Sequence, residues 1–201
     1  MSELNQAYSL GLRSVGDDVT IWAKAQVIGA ENISIGDSVI IDDFAFIMAA
    51  MHTTIGSFVH IAVGATIAGG GEFVMEDFSG LSGGVRVYTG NEDYQGNSLT
   101  NPAVPPPYRN PTRSFVHIGR HAIIGANSVV LPGVEVSEGA AVGALSLVNR
   151  SLEPWTVYLG SPARPIGDRP KDKILQLEAQ LREALFDKGG HYIPASRRMA
   201  L

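Results

Sequence analysis

The chain has 201 residues, with 15 Lys and Arg against 20 Asp and Glu, a formal net charge of −5. That length suffices for one domain with a real core, and the mild acidity argues against a protein that coats nucleic acid or an anionic membrane. The absence of Cys excludes a disulfide framework, a zinc–cysteine site and a thiol nucleophile. No apolar run reaches ~18 residues, and Met1 to Leu10 lacks a basic start followed by an apolar core, so a cytoplasmic protein is expected.

An internal repeat dominates the chain from Val15 onward. Small aliphatic residues recur at every sixth position: Val15, Ile21, Val27. After two extra residues the pattern restarts at Ile35, Ile41, Ile47, then at Ile55, Ile61, Ile67, and again at Met75, Leu81, Val87. A second column four residues later is also apolar or small: Val19, Ala25, Val39, Ala45, Val59, Ala65, Ser79 and Val85. A period of six matches neither the 3.6 of a helix nor the 2 of a half-buried strand. Three hexads per turn instead make a triangular coil, each hexad a short strand plus a corner, with the aliphatic residue inward. Such coils stack at the ~4.8 Å interstrand spacing. Corners call for positive φ or little bulk, which explains the frequency of Gly, Asn and Asp there.

Residues 89–115 break the rhythm with a proline-rich segment, expected to form a long projecting loop. Beyond it the hexads return without insertions at Ile118, Ile124, Val130, Val136, Val142 and Val148. Next, Ile174, Leu177, Leu181 and Leu185 form one apolar helical stripe, which predicts an α-helix over about 171–186, capping the last coil or joining subunit contacts. The expected organisation is a β-helical domain over 1–168, a C-terminal helix within 169–188 and a flexible tail over 189–201.

The runs "ISIGDSVIIDDFAFI" and "HIGRHAIIGANSVVLPGVEVSEGAAVGALSLVNRS", closed by "YLGSPARPI", resemble the hexapeptide-repeat acyltransferases over about residues 13–167. Within them the chain is most similar to sugar acetyltransferases of the galactoside and maltose type and of surface-polysaccharide (lipopolysaccharide) biosynthesis. The resemblance implies an all-β fold, a left-handed parallel β-helix of about six coils, assembled as a homotrimer. It also implies acetyl-CoA as acyl donor, no metal, and transfer to a hydroxyl or amino group of a sugar or sugar nucleotide.

Acetyl transfer needs a base for the acceptor's proton and donors for the oxyanion. Where the galactoside-type family carries its catalytic His, this chain has Glu92, with Asn91 and Asp93 beside it. His60 matches the wall that lines the family's acceptor pocket. His52 matches the base of the sialic-acid and bacillosamine type of sugar N-acetyltransferase. The order of candidates for the base is therefore His60, then Glu92 with Asp93, then His52, with Asn91, Tyr94 and Asn97 of the loop expected to bind the acceptor. An amine acceptor also reduces the demand for a strong base. On the donor side, the resemblance puts pantetheine against the small Ala126 and Ala144. Arg150 and Arg164 then meet the phosphates, and Ser161 and Pro162 shape the adenine end.

Two further readings compete. A trimeric β-helix can serve as a non-catalytic scaffold. A zinc carbonic anhydrase on the same helix needs three His at one junction, whereas His117 and His121 lie coils away from His52 and His60.

Overall fold

The computed structural model describes residues 5–198. Its body is a parallel β-helix with three faces, each a ladder of short strands. Coil one holds Ser14–Val15, Thr20–Ile21 and Gln26–Ile28, and coil two Ile33–Ile35, Ile40–Ile41 and Phe46–Met48. Coil three holds Thr53–Ile55, His60–Ile61 and Thr66–Ala68, and coil four Glu72–Met75, Gly80–Leu81 and Arg86–Tyr88. After the loop, coil five holds Phe115–Ile118, Ile123–Ile124 and Val129–Val130, and coil six Val134–Val136, Ala141–Val142 and Leu147–Val148. Thr156–Leu159 begins a seventh turn, which Arg164–Asp168 closes by pairing antiparallel to it. The expected β-helix of about six coils, with a projecting loop and one main C-terminal helix, is thus the observed fold.

The hexad columns are the core. Ile21, Ile41, Ile61, Leu81, Ile124 and Val142 stack inside the second face, and Val19, Val39, Val59 and Ser79 line the interior beside the first corner. Each inward residue meets its counterpart one coil away, so the apolar ladder and the backbone ladder stabilise each other. The end of coil one is capped by the amino-terminal segment. Asn5 Nδ2 donates to the Val19 carbonyl (2.6 Å), and Gln6 Nε2 to those of Trp22 (3.1 Å) and Ala25 (3.0 Å). Satisfying these edge groups blunts a template for unwanted strand pairing.

The three corners differ. At the first corner, between the first and second faces, Asp18, Ser38, Phe58, Phe78, His121 and Trp155 take left-handed backbone conformations (φ 54–60°). This conformation costs a non-glycine residue ~1 kcal/mol or more, and stacking offsets part of that. The Phe58 and Phe78 rings stack nearly parallel with centroids 4.8 Å apart, and Phe78 stacks on His121 at 5.1 Å. The third corner, between the third face and the next coil's first face, absorbs every extra residue of the period. The two extra residues of the early coils fall there, and the long loop is the same corner enlarged.

Helix α1 spans Lys171–Leu185 and runs along the first corner. It docks by polar groups as well as by its apolar stripe, of which Ile174, Leu181 and Leu185 are partly buried. Glu178, 3% exposed, accepts hydrogen bonds from Arg120, from His121 Nε2 (2.8 Å) and from Arg182 Nε (2.6 Å). Burial works against ionisation of Glu178, but these donors override it and hold the carboxyl at about 2. Leu177 of the expected apolar stripe remains 49% exposed. Residues 189–198, expected as part of a flexible tail, pack against the far end of the prism. Phe186 bridges Tyr192, and Asp18 of coil one accepts from the Tyr192 hydroxyl (2.7 Å) and the Ala195 N–H (2.7 Å).

Candidate functional site

Candidate residues fall on two edges of the prism. On the second face, His60 begins the coil-three strand, in register with Ile40 below and Gly80 above. Its Nε2 lies 3.0 Å from Oδ2 of Asp42, and its side chain is 54% exposed. A Cβ built on Gly80 would meet nothing nearer than the His60 carbonyl oxygen at 3.9 Å, so the surface above His60 is open. Ala126 and Ala144 occupy one column at the following, second corner. The Ala126 carbonyl accepts from Leu145 N (2.9 Å), which locks coil six onto coil five there. Gly83 continues the column one coil nearer His60, where Asn127 N donates to its carbonyl (3.0 Å). A strip without bulky side chains thus runs along this corner from coil six to coil four, beside the face that carries His60. Buried Ser128 and Ser146 hold the strip from inside by donating to the Gly143 carbonyl (3.0 and 2.8 Å).

At the third corner after coil six, Arg150 lines a cavity of about 400 Å³ with Ser151, Glu153, Tyr158 and Pro165. Ser161, Pro162 and Arg164 are exposed, in and after the turn that closes the seventh coil, with Arg164 Nη1 donating to the Ala163 carbonyl (3.2 Å). Neither arginine has an acidic partner among the described residues. Both guanidiniums are therefore free of a paired carboxylate, although Glu153 shares the Arg150 cavity.

The second edge is the loop. Its base is an antiparallel ribbon, Gly90–Asn91 against Thr112–Arg113, and Pro106–Tyr108 forms a helical turn near its tip. That turn presents Arg109, whose Nη2 donates to Glu92 Oε1 at 2.5 Å. Glu92 Oε2 and Arg109 Nε are both buried without a partner, so half of a bidentate pair is unmade. Asp93 accepts from Gln95 N (2.8 Å) and the Ser98 hydroxyl (3.3 Å). The hydrogen bond from Gln95 N leads the set that holds its carboxyl below the usual range. Asn91, Glu92, Asp93, Tyr94 and Asn97 all line one cavity of about 410 Å³, so the structure brings the predicted loop residues together. The ribbon rests on Gly69, Gly70 and Gly71, where added side chains would strike the Thr89, Gly90, Arg113 and Ser114 backbone or side chains.

Within one chain these edges are separate: His60 sits on the second face, and Glu92 follows the third face at the third corner. His52 is exposed at the third corner two coils below the loop, its Nε2 2.9 Å from the Thr54 hydroxyl. His117 pairs with Glu76 (2.7 Å) on the first face, and His121 is buried under α1. Among the described residues, no group of three or more His, Cys, Asp or Glu is arranged to hold a metal ion. No described helix is long and apolar enough to cross a membrane.

Sequence reasoning missed Asp42 and Arg109. Stacking the coils places Asp42 beneath Ala62, two positions past His60, which would have paired it with the imidazole. Arg109 carries no such signal, because the loop has no period.

The chain is 45% identical over 175 residues to the dTDP-4-amino-4,6-dideoxy-D-glucose acyltransferase of Escherichia coli, spanning 87% of this chain and 91% of that protein. AntD, an N-acyltransferase from Bacillus cereus solved with dTDP and 3-hydroxybutyryl-CoA, matches with a TM-score of 0.85 at 38% identity, over 92% of this chain and 98% of that one. A maltose O-acetyltransferase from Clostridium difficile 630 shares the fold, at a TM-score of 0.52 and 18% identity over 79% and 67% of the two chains. No protein-family model matches the chain. The chain belongs to the hexapeptide-repeat sugar acyltransferases. It is an enzyme, and a CoA thioester as acyl donor is the habit of its relatives.

Proposed function

We propose that this chain N-acylates the 4-amino group of a dTDP-linked 4-amino-4,6-dideoxy sugar, with acetyl-CoA as donor. The observation that carries the reading is the 45% identity to the Escherichia coli sugar-nucleotide acyltransferase across 91% of its length. The nucleotide and CoA held by AntD support the same pair of substrates. The product suits surface-polysaccharide biosynthesis in the cytoplasm, where activated sugars are modified before transfer.

The working unit is a homotrimer in which the loop of one copy reaches the second face of the next. This arrangement accounts for candidate residues on two separate edges. Pantetheine lies along Ala126 and Ala144, Arg150 and Arg164 meet the phosphates, and Ser161 and Pro162 border the adenine. Asn91, Tyr94 and Asn97 grip the sugar nucleotide. Glu92, tied to Arg109, and Asp93 shape that grip, and His60 takes the proton from the attacking amine. His52, further from the small-residue strip, is the reserve base. AntD has been solved with a serine and an aspartate replaced, ten positions apart. Ser82 and Glu92 repeat that spacing here, which adds Ser82, beside Gly83 on the strip, to the site.

Thiol release from acetyl-CoA tests the reading. Turnover is expected with the dTDP-linked amino sugar, and not with its 4-hydroxy counterpart or with free hexoses. Turnover on hydroxyl acceptors alone overturns N-acylation. His60→Ala should lower kcat by about 10² to 10⁴ with acetyl-CoA affinity unchanged. Sedimentation as a monomer at micromolar concentration overturns the shared site.

A further inference from the structure

We propose that Asp42 is the positioning residue of the acyl transfer: it fixes the tautomer of His60 and favours the imidazolium formed when the acceptor amine attacks. The proposal rests on the reading of His60 as the base.

Its ground is the 3.0 Å pairing of His60 Nε2 with Asp42 Oδ2. An ionised carboxylate only accepts, so Nε2 carries the hydrogen and Nδ1 keeps the free lone pair. The imidazole therefore presents one defined nitrogen to the acceptor.

The other histidine–carboxylate pairs of the prism are built differently. Glu76, which holds His117, also accepts from Arg120 N (3.0 Å), and Glu178, which holds His121, is shared with Arg120 and Arg182. Those carboxylates tie coils and α1 together. Among the described residues Asp42 has no second side-chain partner, and its pair with His60 lies beside the open surface at Gly80, one coil above. Among the described residues, it is also the charged group within reach of the imidazole. The register neighbours Ile40, Gly80 and Ile123 are uncharged. Nearby Asp43 is engaged by Lys24 N (2.9 Å), and Lys24 Nζ sits over the Phe44 ring at 5.3 Å.

The step balances as follows. The amine lone pair attacks the thioester carbonyl carbon, forming the C–N bond and an oxyanion. His60 Nδ1 takes a proton from the positively charged nitrogen, and Asp42 offsets the new imidazolium charge. The oxyanion collapses, the C–S bond breaks, and CoA leaves as a thiolate that recovers the proton from Nδ1. Amide, CoA thiol and neutral His60 remain.

The test measures kcat, both KM values, the pH–rate profile and the melting temperature of the full-length enzyme. Wild type is compared with Asp42→Asn, Asp42→Glu, His60→Ala and the Asp42→Asn/His60→Ala double variant, using acetyl-CoA and the dTDP-linked amino sugar. Asp42→Asn is expected to lower kcat about tenfold, leaving both KM values and melting unchanged. Its pH–rate profile should differ from that of wild type, a readout that a merely structural role would not move. Asp42→Glu should restore part of the rate, and the double variant should match His60→Ala. If His60→Ala collapses while Asp42→Asn keeps a wild-type rate and pH–rate profile, the role of Asp42 is overturned and the base stands. If Asp42→Asn merely lowers the melting temperature or raises the KM values, the positioning role is overturned as well. A wild-type rate in His60→Ala overturns the underlying reading.

Discussion

The chain departs from its hexads twice, in the loop over 89–115 and in the segment over 171–198, and each departure is anchored by an arginine–glutamate pair. The two pairs are satisfied to different degrees. Glu178 is almost fully buried and saturated by Arg120, His121 and Arg182. Glu92 meets Arg109 through one oxygen only, and its second oxygen and Arg109 Nε are left without partners. A buried charge that serves structure is surrounded by donors, because the cost of desolvation demands it. A pair left half-made beside a cavity retains capacity for something that arrives later. The helix anchor is thus fully satisfied, and the loop anchor beside the cavity is not.

The largest test removes the helix anchor. Glu178→Ala leaves Arg120 and His121 facing each other without their carboxylate, and should cost about 3 kcal/mol in denaturant unfolding. Acyl-transfer rates measured well below the melting point should stay at wild type, since nothing at the site changes. A loss of activity without a loss of stability would erase the contrast.

Next in size is the seat of the loop. In Gly71→Ala the new Cβ collides with the carbonyl oxygens of Ser114 and Thr89. A cost of about 1 to 3 kcal/mol is expected. Here activity should suffer too: the acceptor KM should rise while acetyl-CoA affinity, read by calorimetry, holds.

A pH series sharpens the helix side. The Glu178 carboxyl is held at about 2 against an ordinary 4.5. Its contribution is therefore complete above about 4.5 and declines as pH falls toward 2. Wild type should lose melting temperature across that window more steeply than Glu178→Gln. Equal slopes would show that the anchor does not titrate as described. The smallest effect is expected from Leu177→Ser, within about 0.5 kcal/mol, because this side chain of the predicted stripe is half exposed.

The interior was legible because burial leaves a period. Ile41, Ile61 and Leu81 are inward for one reason repeated along the chain; the break in that rhythm located the loop, and a separate helical stripe located α1. The docking face of α1 was legible in part. Its apolar stripe is mostly half-buried as expected, yet the buried anchor is Glu178, which depends on His121, 57 residues away. Asp42 with His60, 18 residues apart, follows from the stacking register, whereas Glu92 with Arg109, 17 residues apart, is joined across an aperiodic loop that no composition announces.

The return of the carboxyl-terminal segment to Asp18 has a consequence for how the molecule comes apart. Stacked repeats touch only their neighbours, so an open solenoid sheds turns from its ends one at a time. Here the chain beyond the last turn runs back and fastens to the first, with Tyr192 and Ala195 both bound to Asp18. The prism is buckled like a strapped bundle, and neither end can loosen while the strap holds. Intact protein should melt in one sharp transition, whereas a chain ending after Leu185 should fray from coil one and melt over a broader range.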